Sequence, residues 1–409
     1  MPVTAFDNPL SQNASVTGNG ASARSGDWAR WSTGVGRRYT LGVEEELMLL
    51  DPVDHSLLPD SDAVLVHLSS RELAQHTSPE THAGVVELAT GIHLTAASAC
   101  AELAALRLGL AVDLRALGIA AAASGMHPRT GAEQSRLSGA ERYQRLGDAM
   151  GYVARREPTM ALHVHVGVPD PDDAIRVLNR IRESTAVLIA LAANSPFAQG
   201  RPSGFASTRT VTFGMFPRTG TPRRFGSYAE YLDALAPVIE SGALADLTHL
   251  WWDVRLQPVL GTVEVRAMDA QTSVAQAAPL VALVQSLARL ALEGSADGPG
   301  SAPEVLEENR FIAARDGMHA RLIDPARGRL VSVRALLADL LCACRPHAIA
   351  LGCERELDQL PALATDGGAA RQRAWFRSDG DLGAVLAALA SRFSPAGPAP
   401  RAWQRPDHA

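Results

Sequence analysis

The stretch that most constrains this chain is TLGVEEELMLL, residues 40–50, where three consecutive glutamates interrupt an apolar run. The flanking Val43, Leu47, Leu49 and Leu50 predict a buried strand over 39–50. Glutamate is depleted in strands, and burying a carboxylate is expensive unless something compensates its charge. Strand periodicity places Glu44 and Glu46 on one face, roughly 7 Å apart, and Glu45 on the other. An exposed edge with solvated acids accounts for the stretch as well as a cation beneath the Glu44–Glu46 pair does.

The same device recurs. MALHVHVGV (160–168) alternates like a strand and puts His163 and His165 on one face. GVVELATG (84–91) embeds Glu87 among apolar neighbours, and TVEVR aligns Glu264 with Arg266, a spacing that also makes a plain structural ion pair. Together, four apolar segments each carry Glu, His or Arg at strand spacing. Carboxylates with one or two imidazoles suit Mg²⁺ or Mn²⁺ and do not resemble a structural zinc site. An acidic funnel ringed by arginine suits phosphoryl transfer, in which metals and guanidinium groups stabilise the transferred charge.

Composition narrows the chemistry. All 38 basic side chains of the 409 residues are arginine. With no lysine there is no Schiff-base amine and no Walker-type phosphate contact; arginine, whose planar fork grips phosphate bidentately, takes that work. A formal net charge of −6 predicts no nucleic-acid partner. No run of about 18 apolar residues and no secretory signal pattern appear, so no membrane partner is expected. Cys100, Cys342, Cys344 and Cys353 lack CxxC spacing and read as free thiols of a cytoplasmic protein.

Along the chain, residues 1–38 read as a disordered leader, 39–391 as a single catalytic domain with a helical C-terminal part, and 392–409 as a disordered tail. Helices are predicted over 95–117 and 171–193, and short strands at 119–124 and in the WWDVR and 261–269 segments. Residues 194–226, rich in Gly, Pro, Ser, Thr and Arg, read as a long loop and candidate lid, with Gly200, Gly204 and Gly214 permitting movement. Strands separated irregularly by helices and loops favour α+β with a largely antiparallel sheet.

LGVEEEL, HVHVGVPD, LAANSPFAQG, WWDVRLQP with TVEVRAMDAQT, EENRFIAARDGMHARLID and GAARQRAW, in that order from about Tyr39 to about residue 390, resemble the bacterial carboxylate–amine ligases of glutamate–cysteine ligase type 2. These belong to the glutamine synthetase-like superfamily. The resemblance implies a curved, largely antiparallel β-sheet funnel flanked by helices. It also implies an ATP-dependent ligase, with Mg²⁺ or Mn²⁺, that activates a small-molecule carboxylate (an amino acid) as an acyl phosphate and joins it to an amine. A homodimer is implied as well. Carried over by position, Glu44, Glu46, Glu87, His163 and Glu264 are metal ligands, and His165, Arg209 and Arg255 contact ATP phosphates. Arg266 becomes the catalytic and substrate-binding arginine, and Glu45 a structural residue. EPTMAL departs from the family pattern before HVHVG, so Met160 and Leu162 are expected to reshape the pocket; RFIAARDGMH departs as well. The competing readings are a metal-dependent amidohydrolase, because HxH on a strand also marks that chemistry, and a catalytically silent nucleotide- or metal-binding relative.

Overall fold

The computed structural model describes residues 27–33, 38–294 and 300–394. Its centre is a seven-stranded sheet built from β1 (Leu41–Leu50), β2 (Thr77–Pro79), β3 (Val85–Ala89), β4 (Ala120–Ala122), β5 (Ala161–Gly167), β6 (Val254–Gln257) and β7 (Thr262–Asp269). The strands lie in the order β6-β7-β5-β1-β3-β2, with β4 paired to the end of β1, and every pairing is antiparallel. The fold is α+β, as the scattered strands imply.

Alternation divides the sheet. Leu41, Val43, Leu162, Val164, Val166, Val263 and Val265 turn to one side and join the larger apolar core. Three helices cover that side: α1 (Ala96–Ala116) behind β1, α2 (Pro171–Ala192) behind β7, and α3 (Val274–Glu293) behind β5. Helix α2 starts where PDPDD predicts it. Asp170 accepts from the backbone N–H groups of Asp172 and Asp173, and Pro171 occupies the first turn, where a missing N–H costs nothing. Helix α3 is long and apolar enough to cross a membrane by length and composition, yet its residues are mostly buried in the core. Helices α4 (Pro303–Asp316) and α5 (Val333–Leu351) pack outside α2 and α3.

Glu45 answers part of the question posed by its strand. It is fully buried on the helix side, and Arg107 of α1 grips both its oxygens at 2.7 and 2.8 Å. The same guanidinium donates to the carbonyls of Gln271 and Thr272 and lies over the Phe393 ring. A desolvated carboxylate is thus held by a partner whose other donors are also satisfied.

The structure corrects several expectations. Segment 194–226 is not an open loop. It contains a short hairpin (Phe197–Ala198 with Arg201–Pro202) and a helix (Thr208–Phe213), and Ser195, Ser207 and Arg209 are buried. Gly200 turns the hairpin and Gly204 the chain just after it, at φ of 80° and 86°. The anchor that makes it a wall is Asp269, described below. Within the expected leader, residues 27–33 pack on the body: Trp31 is buried and its indole N–H donates to the Val168 carbonyl. Phe393, in the expected tail, is buried against α1. The remaining leader and tail positions, 1–26, 34–37 and 395–409, lie outside the described residues. Leu162 pairs with Glu45 on the helix side and Met160 sits in the second apolar core, so neither lines the pocket.

Candidate active site

The other face of the sheet collects the charged residues. Register sets Glu44 opposite His163, Glu46 opposite Glu87, and Glu264 opposite both His165 and Arg255. Directly paired residues share a face. Every strand-borne residue assigned to the site from the sequence therefore meets on one wall, and Arg209 arrives from the helix Thr208–Phe213. Glu44, Glu46, Glu87, His163, Arg209, Arg255 and Arg266 all line one cleft. His165 and Glu264 lie at its floor, almost fully buried.

His163 Nδ1 lies 3.3 Å from Glu44 Oε2, and His165 Nε2 lies 3.3 Å from Glu44 Oε1. Both oxygens of Glu264 are occupied: Arg255 donates at 2.6 and 3.2 Å, Gln257 at 2.7 Å, and Arg266 completes the set. The Glu264–Arg266 ion pair is thus formed inside the site rather than apart from it. Arg209 donates to the Arg266 carbonyl at 3.0 Å. Glu46 accepts from the Ala161 N–H at 2.6 Å, and Ser78 donates to Glu87 at 2.9 Å.

A break in register aims Arg266. Strand β7 pairs with β5 normally up to Val265, then slips by one residue before Met268. An extra residue in one strand makes a bulge. Glu264 and Arg266 stay on the cleft face, Met268 turns into the core, and Asp269 returns toward the cleft beside Ala161. Asp269 Oδ2 accepts from the Asn194 N–H and Ser195 Oγ, and Oδ1 from Ser207 Oγ. Ser207 caps the helix Thr208–Phe213, and Ser195 Oγ accepts from the Arg209 N–H. Asp269 therefore fixes the segment that delivers Arg209.

Electrostatics split the acids. Burial pushes Glu44 up, but His165 and His163 override it and hold the carboxylate well below its usual range. Burial is likewise overridden at Glu264 by Arg255 and Arg266. Glu46 is pushed up to about 8 by burial and the charge of Glu80, and Glu87 is raised strongly by burial and by Glu44, Glu80 and Glu46. At Glu46, Glu80 and Glu87 burial and mutual repulsion outweigh the compensation from Arg209, Arg266, Arg142 and Ser78, which is the condition a cation relieves. His163 is pushed down to about 4 by burial and Arg266, so it is a neutral imidazole, the form that ligates metal.

The donor set fits divalent ions. Three groups each have ligand atoms within 4.8 Å of one another: Glu44, His165 and Glu264; Glu44, Glu87 and His163; Glu46, Glu80 and Glu87. The Nε2 atoms of His163 and His165 are buried without a hydrogen-bond partner, another mark of an incomplete shell. Glu80 was not visible in the sequence. It follows the short β2 in SPETH, a turn-like context without alternation, and only the pairing of β2 with β3 brings it beside Glu87. Its carboxyl is raised by burial. Tyr143, Phe213, Phe216, His249 and Trp251 add an aromatic wall to the cleft, with Phe216 and Trp251 edge to face at 5.6 Å.

The sequence profile of glutamate–cysteine ligase family 2 (GCS2) matches residues 40–388. A Rubrobacter xylanophilus protein with the provisional name glutamate–cysteine ligase 2-3 is 37% identical over 359 residues, 87% of this chain and 98% of its own. A Thermobifida fusca protein provisionally named glutamate–cysteine ligase 2 is 36% identical over 375 residues, covering 89% and 93%. Among solved structures, glutamate–cysteine ligase from Francisella tularensis in complex with AMP aligns with a TM-score of 0.63 at 14% identity, over 88% of this chain and 90% of that one. A bifunctional glutathione synthetase from Pasteurella multocida aligns at 0.62 and 14%, over 87% of this chain and 53% of that one. These two similarities speak to the fold alone. Sequence kinship makes the protein an ATP-dependent ligase that forms amide bonds. The chain belongs to glutamate–cysteine ligase family 2.

Proposed function

We propose that the enzyme transfers the terminal phosphoryl group of ATP to a substrate carboxylate and then couples the acyl phosphate to an amine. Glutamate and cysteine are the first pair to test, because the relatives are named for them. The observation that carries this reading is the charge partition of one cleft, with crowded carboxylates and imidazoles on its floor facing Arg209, Arg255 and Arg266. In the first step a carboxylate oxygen bonds to phosphorus as the bond to the ADP oxygen breaks. In the second, the amine nitrogen bonds to the carbonyl carbon, the carbon–oxygen bond to phosphate breaks, and the nitrogen loses a proton.

Within this scheme Glu44, Glu46, Glu87, His163 and Glu264, with Glu80 beside them, hold Mg²⁺ or Mn²⁺, whose charge would offset that of the phosphates. Arg209 and Arg266 keep buried Nε–H donors without a partner, suited to phosphoryl or carboxylate oxygens. Arg255 is different: Glu264 and the Thr248 and Leu250 carbonyls take donors on all three of its nitrogens, so it acts through its charge. His165, tied to Thr262 Oγ1 at 3.1 Å, is placed to meet the phosphates or to join the Glu44–Glu264 group. The aromatic wall offers faces on which a base can stack. Free buried thiols support a reducing, cytoplasmic setting. Family resemblance supports a homodimer, which light scattering checks.

The test is ADP release with Mg²⁺, glutamate and cysteine, repeated with hydroxylamine in place of the amine. The expected result is ADP formation that needs the carboxylate, and a hydroxamate when hydroxylamine traps the acyl phosphate. Amide hydrolysis without ATP, or nucleotide binding without turnover for every acid–amine pair tried, overturns it. The antiparallel sheet already disfavours the amidohydrolase reading, which expects an eight-stranded βα alternation.

A further inference from the structure

A second charged cavity, of about 270 Å³, lies among the helices and shares no lining residue with the cleft. Its walls come from the end of α2, the turn Gly317–His319, the first turn of α5 and the helix Gly368–Asp379. Three guanidinium groups line it: Arg334 from α5, and Arg373 and Arg377, four residues apart on one helix face. Like charges at that spacing destabilise a helix rather than support it. Among the described residues, none of the three arginines is within ion-pair distance of a carboxylate. The acid in the wall, Asp316, has both oxygens taken by Arg315 at 2.7 and 2.8 Å.

Two of the three arginines are also held in place, while Arg377 is exposed. Arg373 donates to the Phe205 carbonyl and Arg334 to the Ala364 carbonyl, each at 2.8 Å, which leaves most of each fork undirected at any protein acceptor. Burial and the neighbouring charge of Arg377 push the Arg373 guanidinium down, so the ionised form is under strain that an anion relieves. We propose that this cavity is a binding site for a small phosphate-bearing anion, separate from the ATP site. Three charges lining one cavity match a phosphate group, which carries about two negative charges, better than a single carboxylate. The volume falls just below the usual range of small-molecule pockets, about 300–1,000 Å³, so the ligand is closer to pyrophosphate than to a nucleotide in size.

The experiment uses the full chain without ATP or divalent metal, titrated with inorganic phosphate, pyrophosphate and succinate, and read by calorimetry and thermal shift. Because the cleft also has arginines suited to phosphate, Arg266→Gln serves as the background that weakens binding there. Pyrophosphate is expected to bind both wild type and Arg266→Gln. Arg373→Gln with Arg377→Gln is expected to weaken binding about tenfold or more without lowering the unliganded Tm. If that double variant fails to fold, Arg334→Gln alone is read for the same loss. The proposal is overturned if no anion binds, if binding survives the arginine variants, if it vanishes in Arg266→Gln, or if succinate binds as tightly as pyrophosphate. Turnover is not measured, so failure here leaves the ligase reading untouched.

Discussion

Adjacent glutamates in one strand should fail in opposite ways. Glu45 and Glu46 occupy opposite faces of β1, one against Arg107 and the other in the carboxylate cluster. Glu45→Gln leaves the Arg107 guanidinium, only 1% exposed, without a counter-charge. It also sets an amide N–H₂ against a donor, since both glutamate oxygens currently accept from Arg107. Breaking a buried ion pair from one side costs about 3–5 kcal/mol. Against a folding free energy on the order of 5–15 kcal/mol, that is a large fraction. At about 2 °C per kcal/mol, the low end suited to a larger chain, Tm falls by about 6–10 °C. Glu46→Gln does the reverse: it replaces one of three crowded acids, already pushed up to about 8, with a neutral group, so the metal-free variant melts at or above wild type. The paired assay is thermal unfolding by circular dichroism with and without MgCl₂, and Mg²⁺-dependent ATP binding or ADP release at 25 °C. Glu45→Gln should keep nucleotide affinity within a few-fold while still folded. Glu46→Gln should lose both the Mg²⁺-induced rise in Tm and the Mg²⁺-dependent nucleotide signal. A Glu45→Gln protein that melts within 2 °C of wild type, or a Glu46→Gln protein that keeps its Mg²⁺ response, would refute the division of the strand.

Three further outcomes follow from the same geometry. Arg209→Gln should raise the Kd for Mg·ATP about 10- to 100-fold with little change in Tm, an outcome read by calorimetry, because Ser207 and Asp269 hold the helix bearing it and its side chain adds a single hydrogen bond, to the Arg266 carbonyl. Gly125→Ala should cost about 1–3 kcal/mol in urea unfolding, because its Cβ would lie 2.5 Å from the Asp269 carboxylate that three hydrogen bonds hold in place. His127 is pushed down to about 4 by burial and uses both ring nitrogens, one toward the His55 carbonyl and one toward the Thr130 N–H and hydroxyl. Its folded pKa lies below the unfolded value of 6.5, so its stabilisation is complete above that pH and is lost as pH falls toward 4. Between pH 6.5 and 5 the stability advantage of wild type over His127→Gln should shrink by about 1.5 kcal/mol, and a constant difference would count against the assignment.

The site was legible wherever strand parity alone decided it. Glu44, Glu46, Glu87, His163, His165 and Glu264 announce themselves by alternation, and antiparallel pairing then has little choice but to bring them to one face. Glu45 was legible as the odd one out, but its partner was not: Arg107 lies 62 residues on, within an Ala/Leu-rich helix where one buried arginine leaves no periodic trace. Glu80 was missed because it stands outside a strand. Segment 194–226 misled for a related reason. Its Ser, Thr and Gly content reads as a loop, whereas Ser195 and Ser207 are there to bind one distant carboxylate.

That carboxylate shows where periodicity stops being a guide. Counting by twos from Glu264 through Arg266 assigns Met268 to the cleft and Asp269 to the core. The single-residue slip after Val265 exchanges them. An apolar methionine thereby enters the core, and an aspartate is buried against the Asn194–Arg209 segment. The bulge is consequently more than a local irregularity. Without it Asp269 would face the helices and Ser207 would lose its acceptor, so the cap of the helix that carries Arg209 would have no tie to the sheet. One inserted residue couples the strand that supplies Glu264 and Arg266 to the segment that supplies Arg209. Arg209, Arg255 and Arg266 are then set by a common frame: Arg255 and Arg266 through Glu264, and Arg209 through Asp269 and the Arg266 carbonyl.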